Sequence, residues 1–92
     1  MFSPVYTKQF KRNLKKVKKD PNKNIELLKG IMLKILNREP LKVKHKDHPL
    51  QGHYKNCREC HILPDWLLIY KVDKKSNEVY FVQTGSHSEL FE

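Results

Sequence analysis

The sequence predicts a small α+β protein in which two N-terminal helices pack on an antiparallel-type sheet. The first half of the chain has two apolar stripes with helical spacing, and the second half has three strand-like runs. At 92 residues, with 38% hydrophobic residues and no repeat or linker, the whole chain 1–92 is expected to fold as one domain. The expected element order is β-α-α-β-β-β.

A short strand and a basic helix are expected at the start of the chain. The first six residues, which include Phe2 and Val5, favour a strand, and Thr7 is placed to cap the helix that follows. The buried stripe of this helix would consist of Phe10, Leu14 and Val17. Its lysine-rich side would then remain in water.

The second helix is expected between Asp20-Pro21 and Pro40. Asp20-Pro21 ends the first helix and is also suited to begin the next one, because proline is tolerated at the first helical position. The main apolar stripe consists of Ile25, Leu28, Met32 and Ile35. Gly30 weakens the helix slightly, and Pro40 ends it.

Three strands are expected in the second half, at about 58–63, 66–72 and 79–84. The middle run, WLLIYKV, is apolar at nearly every position, as in strands that are covered on both faces. Residues 73–77 are expected to form a hairpin turn, and the final GSHSELFE a loop or short turn.

Charge is the strongest global property of the chain. Nineteen Lys and Arg against ten Asp and Glu give a net charge of +9, and the run KQFKRNLKKVKK holds seven basic residues and no acid. Such a density favours a polyanionic partner, with nucleic acid ahead of a merely solvated helix face. Charge alone leaves DNA, RNA and anionic lipid open. No apolar run is long enough to cross a membrane and no secretory signal is present, so a cytoplasmic protein with reduced thiols is expected.

The run CRECH has the C-x-x-C-H spacing of haem attachment and includes residue types that bind zinc. If the strand at 58–63 is extended, Cys60 and Ile62 face one side and Glu59 and His61 the other, so Cys57 and Cys60 diverge. We therefore expect Cys60 to be a core residue, Cys57 a half-exposed thiol, and no bound metal or other cofactor. Zinc held by the two cysteines and two histidines remains the alternative.

The histidines suggest a chemistry of their own. His45, His48, His53 and His61 lie within seventeen residues, and His87 follows the last strand. Histidine titrates near neutrality, so two histidines suit the acid and base roles of RNA cleavage, in which the 2′-OH is an internal nucleophile. A lysine or a protonated histidine would stabilise charge on the phosphate, and no metal would be required.

Two segments resemble a known family. DHPLQGHYKNCRECHILPDWLLIYKV and TGSHSELF are similar to the YafQ branch of the RelE/ParE superfamily, the toxins of type II toxin–antitoxin systems. The shared patterns are D-H-x-L-x-G, C-R-[DE]-C-H-x-x-P-D-W, a strand ending L-I-Y, and T-G-[ST]-H with a near-terminal Phe. This resemblance implies a small sheet with two packed helices, and a ribosome-dependent endoribonuclease that cuts mRNA in the A site and halts translation.

The resemblance also implies a set of site residues. They are His48, His61, Asp65, His87 and Phe91, with Glu59 and Trp66 as secondary members. His48 and His87 are expected to form the acid–base pair, with their individual roles left open. His61 and Asp65 would orient one another or stabilise the phosphate. Phe91 would stack on a splayed base; Trp66 would either do the same or pack in the core, and packing is favoured.

Basic residues would hold the RNA by sequence-independent phosphate contacts. Those expected to contact ribosomal RNA are Lys8, Lys11, Arg12, Lys15, Lys16 and Lys18, and those nearer the mRNA are Lys44, Lys46 and Lys55. The resemblance further implies a partly disordered antitoxin as partner, and the charge favours a monomer when the toxin is free. His45 and His53 are extra histidines, either of which could replace His48. A module that binds RNA or the ribosome without cutting is the competing hypothesis.

Overall fold

The computed structural model describes residues 1–91, which form a five-stranded sheet and three α-helices. The strands are β1 (Ser3–Tyr6), β2 (His48–Pro49), β3 (Arg58–Leu63), β4 (Trp66–Asp73) and β5 (Glu78–Gly85), and the helices are α1 (Lys8–Lys19), α2 (Ile25–Leu36) and α3 (His87–Phe91). The sheet order is β1-β5-β4-β3-β2, with β1 parallel to β5 and the other pairs antiparallel. The predicted α+β class is confirmed.

The N-terminal cap of α1 is confirmed and also joins this helix to the sheet. Thr7 Oγ1 accepts a hydrogen bond from the Phe10 backbone N–H at 3.0 Å. The same hydroxyl donates to the Val82 carbonyl oxygen of β5 at 2.7 Å. One side chain therefore fixes both the start of the helix and its position over the sheet.

The predicted start of the second helix is wrong by several residues. Asp20 Oδ1 accepts from the Asn22 backbone N–H at 2.9 Å, which makes a turn between the helices. The cap of α2 is Asn24, whose Oδ1 accepts from the Glu26 N–H at 2.9 Å. At the other end α2 stops at Leu36, before Pro40. A side-chain cap closer to the apolar stripe thus defines the helix start.

The two faces of the sheet are packed differently. On the helix side, Phe10 and Leu28 meet Leu68 and Phe81 in the main core, and all four are fully buried. On the opposite face Leu67, Ile69 and Leu90 form a smaller cluster. β4 is therefore covered on both faces, which confirms the prediction made from its apolar sequence. The polar residues of β3 lie beside this smaller cluster.

The C-terminal half has elements that the sequence did not predict. β2 is a two-residue strand, and single 3-10 turns occur at Val43–His45 and Gly52–Tyr54. The segment expected to be a loop or short turn, residues 85–92, instead continues β5 to Gly85 and then forms α3; Glu92 lies outside the described residues. In the part of the chain that the structure describes, no helix is long and apolar enough to span a membrane.

Candidate active site

Strand pairing brings His48 and His61 to one carboxylate. His48 of β2 is the register partner of Glu59 in β3, and His61 follows Glu59 by two residues on the same face. The Glu59 Oε2 atom lies 3.1 Å from His48 Nε2 and 3.7 Å from His61 Nε2. Glu59 is 5% exposed, so its charge is held largely away from water between the two rings. The predicted alternation along β3 is confirmed.

The second nitrogen of each ring contacts a backbone carbonyl. His48 Nδ1 lies against the Lys46 carbonyl oxygen, and His61 Nδ1 lies 3.1 Å from that of Pro64. A carbonyl only accepts, so Nδ1 must carry the proton in both contacts. Each Nε2 faces the Glu59 carboxylate, at 3.1 Å for His48 and 3.7 Å for His61. A ring that carries a proton on both nitrogens would therefore be attracted to this carboxylate.

Asp65 and His87 form a separate pair. Asp65 lies in the turn between β3 and β4, and His87 begins α3 just after β5. Asp65 Oδ1 accepts from the His87 backbone N–H at 3.0 Å and lies 2.8 Å from His87 Nδ1. The backbone hydrogen bond, followed by the one from the ring, lowers the pKa of Asp65. The expected mutual orientation of His61 and Asp65 is therefore corrected, because the partner of Asp65 is His87.

The rings of the site stand in a row that crosses the sheet from β2 to the end of β5. Ring centroids are 6.5 Å apart between His48 and His61, 5.8 Å between His61 and His87, and 6.3 Å between His87 and Phe91. No described group bonds to His87 Nε2, whereas both nitrogens of His48 and His61 have neighbours. The row thus combines the free Nε2 of His87 with His48 and His61, which share the buried Glu59 carboxylate. Such a set can take a proton at one end and give one at the other.

An exposed aromatic surface continues the row. Phe91 is 45% exposed and meets Tyr54 edge to face, with ring centroids 5.8 Å apart. Tyr54 also contacts His53 at 5.1 Å and accepts a hydrogen bond from Gln83 Nε2. A cavity of about 480 Å³ opens over these rings. Sequence reasoning missed Tyr54, although its place among basic residues in the loop before Cys57 was a usable signal.

Trp66 is a core residue in this structure. It is 1% exposed and lies on the helix side of the sheet, away from the histidine row. Its Nε1 donates to Thr84 Oγ1 at 2.9 Å, and that hydroxyl donates to the Leu67 carbonyl at 2.7 Å. The burial leaves no free ring face for a nucleobase and supports the packing alternative for this residue.

Glu89 is a further residue that the sequence analysis did not identify. Its Oε1 accepts from the Ser86 N–H at 2.8 Å, while Ser86 Oγ accepts from the Glu89 N–H at 3.2 Å. These reciprocal bonds form a capping box at the start of α3, for which the S-x-x-E spacing was the available signal. Glu89 Oε2 also lies 3.2 Å from Lys16 Nζ of α1. The Ser86 backbone bond is the main reason that the pKa of Glu89 is lowered to about 2.

The predicted basic residues form two groups on the surface. Those of α1 are all exposed, as are Lys44, Lys46 and Lys55. Lys16 is held by Glu89, which connects the basic helix to the helix that carries His87. Lys46 flanks the row of rings directly, since its carbonyl contacts His48. The two extra histidines lie in different places. His45 Nδ1 lies 2.7 Å from the His61 carbonyl oxygen, whereas His53 packs on Tyr54.

The two cysteines lie on opposite faces of the sheet, as predicted. Cys60 is fully buried in the main core, and Cys57 is half-buried beside the smaller cluster. Burial raises the pKa of the Cys57 thiol and raises that of Cys60 to about 12. Within residues 1–91, no three His, Cys, Asp or Glu side chains are grouped so as to hold a metal ion. The zinc alternative therefore lacks its paired thiol ligands.

The fold and the site define a class of small, basic α+β proteins in which histidines and carboxylates lie in a row across one sheet. The chain belongs to the YafQ family, the bacterial toxins of type II toxin–antitoxin systems, whose family model matches residues 2–92. The mRNA interferase toxin YafQ of Escherichia coli strain K12 is 40% identical over 87 residues, which cover 94% of this chain and 91% of that protein.

Solved structures of relatives share the whole fold. YafQ in the E. coli DinJ–YafQ complex is 38% identical, with a TM-score of 0.89 and full coverage of both chains. A metal-bound toxin from Helicobacter pylori is 41% identical, with a TM-score of 0.91, and the match covers 99% of this chain and 100% of that one. The resemblance noted in the sequence is thereby confirmed.

Proposed function

We propose that this chain is a ribosome-dependent endoribonuclease that cleaves mRNA in the A site and inhibits translation by metal-independent acid–base catalysis. The observation that carries the proposal is the ring row of His48, His61 and His87, with neighbouring centroids 6.5 Å and 5.8 Å apart, which supports an acid–base pair at its two ends with a third histidine between them. The likeness to a curated mRNA interferase supports mRNA as the substrate.

His87 is suited to act as the general base. With Nδ1 protonated and bonded to Asp65 at 2.8 Å, the neutral ring presents an unprotonated Nε2. This nitrogen would take the proton of a ribose 2′-OH. The 2′-oxygen then forms a bond to phosphorus while the bond from phosphorus to O5′ breaks, which leaves a 2′,3′-cyclic phosphate.

His48 is suited to act as the general acid. The proton transferred to O5′ would be the one on Nε2, which faces Glu59 at 3.1 Å, while Nδ1 would keep its proton on the Lys46 carbonyl oxygen. Its side chain is 45% exposed and so is open to a substrate. His61, at the centre of the row and on the same carboxylate, would stabilise negative charge on the phosphate.

The remaining site residues would position the RNA. Phe91 offers an exposed ring for stacking on a base, a contact that contributes ~1–3 kcal/mol. The basic face of α1 would contact ribosomal RNA, and Lys44, Lys46 and Lys55 the mRNA, by attraction to phosphates. These contacts would hold the complex in place without reading its sequence.

We further propose an antitoxin as the protein partner. The E. coli relative is known as a complex of YafQ with DinJ, and a net charge of +9 suits an acidic partner that folds on binding. In its absence the toxin would be a monomer. The proposed site of action is the cytoplasm, where translating ribosomes occur.

A single 2′-deoxy substitution tests the chemistry. Ribosomes carrying an mRNA in the A site would first be treated with the wild-type protein to locate the cleaved bond. The same mRNA would then be prepared with 2′-deoxyribose immediately 5′ of that bond, which removes the nucleophile and keeps the base and phosphate. We expect cleavage of the all-ribose mRNA with a 2′,3′-cyclic phosphate end, and none at the deoxy position.

Two results would contradict the proposal. Cleavage of the deoxy mRNA at the same bond would mean that water or another group is the nucleophile. Arrested translation without any cut would favour the non-cleaving, ribosome-binding alternative. A deoxy substitution three nucleotides away is the matched control, since it should leave the rate unchanged.

A further inference from the structure

A second feature lies beside the catalytic row, at the outer edge of β3. β2 pairs only with Arg58 and Glu59, so it does not cover the later residues of that strand. The 3-10 turn Val43–His45 meets this edge instead, and the backbone is irregular there between His61 and Leu63. The result is a cavity of about 280 Å³ between residues 44–46 and 61–64.

His45 gives this cavity a fixed hydrogen-bonding group. Its Nδ1 donates to the His61 carbonyl oxygen at 2.7 Å, which determines the tautomer of the neutral ring. Nε2 is then a hydrogen-bond acceptor, and no described group occupies it. The ring is half-buried and lines the cavity. Its orientation is therefore set before any ligand arrives.

The other walls are apolar or cationic. Ile62, Leu63 and Pro64 supply the apolar side, and Leu63 is 39% exposed to an incoming group. Lys44 and Lys46 are exposed at the rim. Apolar side chains, one oriented acceptor and two cations match the base, the base edge and the phosphates of a nucleotide. The volume is near the lower end for ligand sites, as suits one nucleotide rather than a longer segment.

We propose that this cavity is a nucleotide subsite in which His45 Nε2 contacts the edge of the base next to the cleaved phosphate. The inference rests on the proposed ribonuclease function and extends it. His61 lines the cavity and its ring also belongs to the row, so a nucleotide bound here would lie next to a phosphate held at His61. His45 is then a source of base preference rather than a catalytic residue. A base with an exocyclic amino group would be favoured, because Nε2 of the neutral ring accepts.

Replacing His45 by Asn separates the contact of Nε2 with the base from the contact of Nδ1 with the His61 carbonyl. The Asn side-chain amide occupies nearly the same place as His Nδ1, so His45→Asn keeps a donor for the His61 carbonyl but removes Nε2. His45→Ala removes both groups. Sites cut in total mRNA would be mapped for the wild type and both variants, and the base frequencies on either side of each cut compared. Thermal unfolding of each protein would establish that it is folded.

We expect His45→Asn to cut mRNA about fivefold more slowly next to the favoured base, the effect of one lost neutral hydrogen bond, so that the preference at this flanking base falls by the same factor. His45→Ala should lose the same preference and cut more slowly. If His45→Asn keeps the wild-type preference, the subsite is refuted while the ribonuclease activity stands. Lys44→Gln should slow cutting without changing the base preference. Lys29→Gln, which removes one positive charge from α2, is the matched control and should change neither the rate nor the preference.

Nucleotide binding provides a test that does not depend on cleavage. The folded His87→Ala protein would be titrated with each of the four nucleoside 3′-monophosphates, and backbone amide shifts followed by NMR. We expect the shifts to be concentrated at residues 44–46 and 61–63 and to differ between the four bases. In the double variant His87→Ala/His45→Asn, the shifts should no longer differ between bases. Equal shifts for all four nucleotides, or none at these amides, would overturn the subsite even if the protein proves not to cut RNA.

Discussion

Replacing Glu59 by Gln is expected to slow cleavage substantially while leaving the protein folded. The amide keeps the volume of the buried side chain but removes the charge 3.1 Å from His48 Nε2 and 3.7 Å from His61 Nε2. We take the loss of this close charge contact to cost ~1.5–3 kcal/mol, the range for interactions with a charged group, and each ~1.4 kcal/mol is tenfold in rate. The cleavage rate should therefore fall roughly 10- to 150-fold. The free energy of unfolding should change less than the activation free energy does, because losing the buried carboxylate also removes the cost of burying its charge.

The assay is single-turnover cleavage on ribosomes with a defined A-site codon, together with thermal unfolding of each purified protein. Glu26→Gln is the matched control, since it makes the same charge change at an exposed position of α2 that is 71% accessible and pairs with Lys29. Cleavage by Glu59→Gln at the wild-type rate would refute the role given to the shared carboxylate. An equal slowing by Glu26→Gln would show that only net charge matters.

Three further outcomes follow from individual contacts. The pKa of Glu89 is lowered from 4.5 to about 2, so the stability that its carboxylate contributes is present above about pH 4.5 and lost as pH falls toward 2. Near neutrality the wild type should therefore have a higher free energy of unfolding than Glu89→Gln. This difference should disappear in an acid titration followed by circular dichroism. Thr84→Val leaves Trp66 Nε1 buried without its acceptor, which should cost ~1–3 kcal/mol in denaturant unfolding, whereas Thr84→Ser should cost less. Iodoacetamide at pH 8 should modify Cys57 and leave the fully buried Cys60, whose pKa is raised to about 12, unmodified by mass spectrometry; equal labelling would contradict the burial.

Local patterns in the sequence predicted much of this fold. The alternation along β3 correctly placed Glu59 and His61 on one face and Cys60 on the other, because side-chain direction in a strand depends only on position. Thr7 was recognised as a helix cap for the same reason, since capping needs only neighbouring residues. The start of α2 was missed because Asp20-Pro21 and Asn24 are both acceptable caps, and packing of the apolar stripe decides between them.

Contacts between distant segments were not predictable from the residues alone. The pairing of Asp65 with His87 joins positions 22 residues apart and depends on where β5 ends and α3 begins. The contact of His48 with Glu59 depends on a strand of only two residues, too short to give a periodic signal. Family resemblance identified these site residues, and the sheet register explains why they meet.

The most direct test of the central claim is to map mRNA 5′ ends in cells after brief expression of the wild type and of His87→Ala. The His87 ring lies on the surface and, within residues 1–91, hydrogen-bonds only to Asp65, so the variant should remain folded, which thermal unfolding would verify. We expect new 5′ ends inside translated codons for the wild type and none for His87→Ala. Growth arrest by the wild type without new ends, or equal cutting by the variant, would contradict a ribonuclease whose proton transfer depends on His87.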